Sequence, residues 1–362
     1  MITPIAFLLS SLLAPQEPEE APNPDWSVLG WAELSFGWRF APDEGGKNAF
    51  RLFDDRARGG RVNQLGLTVE RTLPGESEFE LGGRATLIGG TDARFLHARG
   101  IATGQEANLQ WDPYEIHLTA GLFSGTLQAR LGRFATIHGA ESAPAYANHH
   151  ASRSLLYNYA QPFTHMGLQL LYPLAAEWLF SYALVNGWDN WNDNNDAFSH
   201  LLGASWSEES GKSSAALNVI TGPEQDSDTS NLRTLVDVLY RMRLSQRLNS
   251  VVNADYGWEE GITAGGGDAA WWGVASYLEY DFGAEHLGVF RAEYFNDQDG
   301  VRTGVDTALW AFTAGADLPL LGDPVLRLQP ELRWDLPSGT PVVNGERFHG
   351  QLTALCALVI VF

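Results

Sequence analysis

From residue 28 onward, apolar and polar positions alternate with a period of two, the mark of strands with one apolar and one polar face. In Val28 to Phe40, one face carries Val28, Ala32, Leu34, Phe36, Trp38 and Phe40, and the other carries Glu33, Ser35, Gly37 and Arg39. Near Phe79, the residues Phe79, Leu81, Ala85 and Leu87 alternate with Glu80, Arg84 and Thr86. The final stretch places Phe348, Leu352, Ala354, Cys356, Leu358, Ile360 and Phe362 on one side. About sixteen such segments of roughly ten residues occur, the length a tilted strand needs to cross a membrane. They begin near residues 28, 63, 79, 111, 124, 164, 177, 199, 213, 232, 247, 270, 286, 307, 324 and 347. Short links such as 73–78, 245–247, 283–285 and 321–323 take turns with longer polar ones, 41–61, 89–110, 135–163, 187–198, 222–231, 257–269, 296–306 and 335–347. Tight turns on one rim and loops on the other are what an up-and-down barrel gives. The expected fold class is therefore all-β: a single transmembrane antiparallel up-and-down β-barrel of about 16 strands, within a range of about 14–18.

Composition narrows the choice between two architectures. A soluble sandwich puts its apolar faces inside, whereas an outer-membrane barrel turns them to lipid and lines its lumen with charge. Charged residues are only 19% of the chain, aromatics are 12%, and 13 of the aromatics are Trp. Aromatics at segment ends (Trp38, Phe40, Tyr172, Trp206, Tyr294, Phe295 and Trp334) suit an interfacial girdle. Arg and Glu stand mid-strand on the polar faces, and the chain closes on an apolar strand ending in Phe362. These features favour the membrane barrel. The alternative is a secreted soluble all-β protein, for example a carbohydrate-binding one using its many Trp. Ile2 to Leu13 is largely apolar and Ala14 is small, so 1–14 reads as an export signal, although it lacks a basic start. An acidic, Pro-rich arm follows at 15–26, and 27–362 forms the barrel with its extracellular loops.

Residues 131–195 carry a denser signature. Its elements are Gly132, Arg133 and Phe134 at a strand end, then Gly139 and Glu141, a turn at Ser152, Arg153 and Ser154, a strand start at Pro162, Thr164, His165 and Gly167, and a loop at Asn186, Gly187, Trp188 and Asp189. Together these resemble the OmpL-like beta-barrel porin family of the bacterial outer membrane. The resemblance implies a water-filled channel for passive diffusion of small solutes or ions. It covers about 65 residues in specific motifs, and the rest of the chain agrees in its strand rhythm.

The segment 135–163 is too polar and rich in small residues to span lipid. It is a candidate to fold into the lumen, held by Arg153, Glu141 and His165; the alternative is an ordinary extracellular loop. Candidate pore-lining charges are Glu33, Glu70, Glu80, Arg84, Glu115, Arg130, Arg233, Asp237, Arg241 and Arg243. The net charge of −21, with acidic loops at 189–196 and 222–228, would draw cations to the mouth, while Arg233, Arg241 and Arg243 on one strand face would draw anions. The same net charge argues against nucleic acid as a partner. His138, Glu141, His149 and His150 lack the spacing of a zinc site. The oxygen-rich run Asp189 to Asp196 lacks the glycine and terminal Glu of an EF-hand, so a solvated loop tip is the stronger reading. Ser152 beside His150 has no nucleophile elbow around it, and no enzyme activity is expected. No cofactor is expected; the partners are outer-membrane lipid, small solutes or ions, and further copies of the chain in a homo-oligomer.

Overall fold

The structure, a computed structural model, describes residues 26–40, 46–75, 77–101, 109–320, 323–343 and 345–362. The export signal and nearly all of the acidic arm lie outside the described residues; Trp26 opens the first strand. Among the described residues, eighteen strands follow in order: β1 (Trp26–Phe40), β2 (Arg58–Arg71), β3 (Phe79–Gly90), β4 (Gln110–Leu122), β5 (Leu127–Ala135), β6 (Thr164–Ala175), β7 (Trp178–Val185), β8 (Ser199–Ser207), β9 (Ser213–Pro223), β10 (Leu232–Arg243), β11 (Leu248–Glu259), β12 (Ala269–Gly283), β13 (His286–Asp297), β14 (Thr307–Leu320), β15 (Asp323–Pro337), β16 (Val342–Val343), β17 (Glu346–Arg347) and β18 (Gln351–Val361). Sixteen of them form one closed antiparallel barrel, while β16 and β17 pair in a hairpin of their own. One short helix, α1 (Ala93–Leu96), follows β3.

The barrel closes where β1 meets β18, with Leu34 opposite Leu358 and Arg39 opposite Thr353. At the short-turn rim Gly30 and Phe362 exchange backbone hydrogen bonds of 2.7 and 2.8 Å. The alternation read from the sequence sets the two faces. Leu34, Phe36, Trp38 and Phe40 are exposed on the outside, and Glu33, Ser35 and Arg39 are buried toward the lumen. An outward apolar belt of this kind is what lipid demands, and a soluble sandwich would bury it. Phe295 is an exception to the expected girdle. It is fully buried on the inner face of β13 and stacks on Tyr159, while its neighbour Tyr294 sits against Trp310.

Strand starts differ from the sequence reading where local geometry intervenes. The strand expected near 124 begins at Leu127, because Phe123, Ser124 and Gly125 take left-handed φ values of 55°, 53° and 81° to make the turn. The last strand begins at Gln351 rather than 347, since Arg347 is taken up pairing with Val342. At Gly132, φ of 133° interrupts the two-residue period, so that Arg133 and Phe134 are both buried. A Cβ there would stand 2.3 Å from the Ile116 carbonyl oxygen, which only glycine avoids.

Candidate functional site

The lumen does not stay open along its length, because the segment 136–163 folds into it. Its polar backbone is satisfied by side chains of the inner wall. Gly139 N–H donates to Asp237 (3.2 Å) on β10, and Ala140 N–H donates to Asn253 (3.2 Å) on β11. Ser152 N–H donates to Glu331 on β15, and Leu155 N–H donates to Glu293 on β13. In the other direction, Arg291 donates to the Ser152 carbonyl (2.8 Å), Arg333 to that of Arg153 (2.6 Å), Gln329 to that of Asn148 (2.8 Å) and Trp271 to that of Ala160 (3.1 Å). A loop can be buried only if such partners exist. The strands β9 to β15 supply most of them. Toward β2 and β3 the segment reaches Gln64, which bonds Ala143 and Ala145, and through Tyr146 it meets Arg84.

The tethered side is a buried ionic network. Arg291 lies 2.9 Å from Glu141 of the inward segment and 2.7 Å from Glu293. Arg333 pairs with Asp335 at 2.8 Å, and Arg327 pairs with Asp317, which also holds His149 at 2.8 Å. Glu141 additionally accepts from Tyr277 (3.0 Å) and from Ser154 N–H (2.8 Å). Ser152 Oγ accepts from Arg291 (3.1 Å) and is buried. A hydroxyl so held is a structural acceptor. A cavity of about 30 Å³ beside Glu141, His149 and His150 has room for about one water.

Two further segments also turn inward, and the sequence reading placed both among the loops. Arg51, in the stretch 46–57, bonds Asp335, Thr353 and Asp54, with Phe50 and Phe53 buried beside it. The Leu96 carbonyl at the end of α1 accepts from Arg133 (2.7 Å), which also bridges to Asp112 (2.9 Å). Phe53, Leu96, Tyr114, Tyr157 and Phe163 pack with Trp31 and Ile88 into an apolar cluster on the β1–β4 side. The available signal was Ala49, Phe50, Leu52 and Phe53 flanking Arg51, an apolar density unusual for a solvated loop.

The signature residues cluster at the root of the inward segment. Asp189 accepts from the backbone N–H groups of Phe163 and Thr164, both at 2.8 Å, and pins the return to β6 just after Pro162. Trp188 N–H donates to Glu224 (2.8 Å), and Asn186 donates to the Trp191 carbonyl (2.9 Å). Burial pushes the Glu224 carboxyl up to about 7. Gly139, at φ of 87°, leaves room for Gln161, and Gly167 lets β6 approach the Leu184 carbonyl. His165 spans from the Gly187 carbonyl (3.2 Å) to Thr136 Oγ1 (3.1 Å), which also meets His138 Nδ1 (3.0 Å). A carbonyl can only accept, so neutral His165 carries its proton on Nδ1. Thr136 then donates to His165 and accepts from His138, leaving His138 Nε2 as a buried lone pair without a donor among the described residues. Phe134 packs on His165 with ring centroids 6.0 Å apart. Arg153 donates to the Ala143 carbonyl (2.8 Å) and lies over the Tyr157 ring.

The candidate charges fall at several levels instead of one ring. Glu33 and Asp237 are sealed under the inward segment. Glu70, Arg84 and Glu115 form a chain of 2.8 Å pairs on β2, β3 and β4, with Arg130 on the adjacent β5. Glu80 accepts from Gly75 and Ser77 N–H and holds a short turn. Arg233 pairs with Glu259 (2.7 Å) and covers Trp188 at the long-loop rim, whereas Arg241 faces the lumen and Arg243 is exposed at the opposite end of β10. The three arginines of β10 thus do not stand together at a narrow point. In the oxygen-rich loops, Asp193 and Asp228 accept from their own backbone. Hydrogen bonds from Arg99 and Asn194 hold Asp226 at about 2.

Sequence and fold comparisons agree with this geometry. A family described as "Putative beta-barrel porin-2, OmpL-like" matches residues 26–362. The chain belongs to this family. It is an outer-membrane porin, a channel for solutes and not a catalyst. No curated protein matches the porin in sequence. In fold it is similar to OmpT of Vibrio cholerae, at a TM-score of 0.62 and 10% identity over 95% of this chain and 100% of that one. It is also similar to an anion-selective porin from Comamonas acidovorans, at a TM-score of 0.62 and 12% identity over 93% and 99% of the two chains. OprB of Pseudomonas putida follows at 0.60 and 11% over 93% and 94%.

Proposed function

We propose that segment 136–163 is the constriction of this porin, and that solutes pass beside it along the part of the β2–β5 wall that carries Glu70, Arg84 and Arg130, away from its contacts with Gln64 and the apolar cluster. The observation that carries this is the uneven tethering: the buried Arg291–Glu141 ion pair and hydrogen bonds from buried wall side chains fasten the segment to β9–β15, whereas Glu70 and Arg84 on the other side keep 33% and 26% of their side chains exposed. Glu70, Arg84, Glu115 and Arg130 then line the passage, and the long-loop rim faces outward from the cell. Opposite charges nearly balance along this wall, so selectivity is weak and tipped toward cations by the acidic mouth. A homo-oligomer is proposed on the likeness to OmpT, which has been observed in a trimer form. The test is to replace residues 142–158 with a short Gly-Ser linker and record single channels in planar bilayers. Conductance should rise at least about two-fold as the open cross-section grows. An unchanged conductance with an intact barrel would place the constriction elsewhere.

A further inference from the structure

We propose that Arg130 is a binding subsite for the carboxylate of small organic acids in transit, a reading that rests on the passage along β2–β5. Most lumen arginines are already neutralised. Arg84, Arg133, Arg233, Arg291, Arg327 and Arg333 each have a carboxylate within 4.0 Å. Arg130 pairs with none among the described residues. Its Nη1 makes one long contact of 3.4 Å to Gln169, and its Nε is buried with no acceptor.

Arg130 as a whole stays partly exposed, so a solute oxyanion can reach its outer N–H groups and give the guanidinium the acceptors it lacks. The planar fork of Arg suits the two oxygens of a carboxylate. The surroundings supply more donors: Thr119 stands opposite Arg130 on β4, and Gln169 stands opposite on β6. Glu115 is occupied by Arg84 at 2.8 Å and by Ala135 N–H. Arg84 is likewise occupied, bridging Glu70 and Glu115. Glu70, Arg84 and Glu115 together carry one net negative charge, and Arg130 brings the group to neutrality without itself pairing to a carboxylate. A solute with one carboxylate suits this fork better than one with two, because a second would face Glu70 and Glu115.

Arg241 makes the control. Its Nη1 is also buried without an acceptor, yet it belongs to β10 on the tethered side. The experiment uses the full-length porin in planar bilayers with potassium chloride carrying the current. Butyrate is added as probe, with butyramide as its neutral counterpart. Butyrate should reduce the chloride current and butyramide should not. R130Q should weaken the butyrate effect at least about ten-fold, the loss of a charge-assisted hydrogen bond. R241Q should leave it unchanged. If R130Q alters conductance but butyrate and butyramide act alike, the subsite is wrong and the passage stands. If R130Q alters neither conductance nor block, the passage is wrong as well. R130K, which keeps the charge and loses the fork, should show intermediate block; it carries the test should R130Q lose the heat-modifiable gel migration of a folded barrel.

Discussion

Two sides of one lumen are built from the same residue types and behave differently. On β9 to β15, arginines and carboxylates are buried together and tied to the backbone of segment 136–163; Arg291, Glu293 and Arg333 have no exposed side-chain surface. On β2 and β3, the chain of Glu70 and Arg84 keeps much of its water. A charge network under a loop acts as an anchor, because each buried ion needs its partners to offset lost hydration. The same network at the edge of water is a lining, since screening leaves each pair contributing little to stability. Residue type alone does not tell the two apart; burial does.

The largest effect is expected at Arg291. Arg291→Ala strands Glu141 and Glu293 as buried carboxylates, at a cost of about 3–5 kcal/mol. We expect a lower unfolding midpoint in detergent and a larger, noisier single-channel current as the segment loosens. A quiet, unchanged channel would mean that the anchor lies elsewhere.

Acid probes the root of the segment. Burial, with His165 alongside, pushes the His138 imidazole from 6.5 down to about 3. The seated segment therefore favours neutral His138. That stabilisation is present in full above the unfolded value of 6.5 and is lost as pH falls through the folded value. Conductance should climb on acidification from about pH 7 toward pH 3, and His138→Asn, which cannot titrate, should flatten that climb. An identical pH profile in the variant would remove His138 from the account.

The smallest effect on folding should come from the lining. Glu70→Gln breaks a half-exposed pair and should shift stability by no more than about 1 kcal/mol. Reversal potential under a salt gradient should nevertheless move toward anions. A stability loss as large as that of Arg291→Ala would show that both sides serve as anchors.

Much of this molecule was legible in its sequence, and the limits have a physical cause. Strand positions followed from the period of two, because the pleat sends successive side chains to opposite faces whatever the tertiary context. The signature around Gly132, His165 and Asp189 marked the root of the inward segment, whose partners lie fairly close in the chain, such as Asp189 to Phe163. The tethers were not legible. Arg291 meets Ser152 across 139 positions and Arg333 meets Arg153 across 180, and no local pattern encodes such pairs. The arginines of β10 read as one anion-attracting face because the period of two gives the side a residue points to and not its partner; Arg233 is taken by Glu259 on β11.

The most direct test of the two-sided lumen is thiol accessibility in a Cys356→Ser background. Glu70→Cys and Gln329→Cys would each be exposed to a hydrophilic, membrane-impermeant thiol reagent while the channel conducts. Glu70→Cys should react readily and its current should fall on modification, while Gln329→Cys, at 2% exposure in the native residue, should stay protected. Rapid reaction of Gln329→Cys with protection of Glu70→Cys would contradict the two-sided lumen.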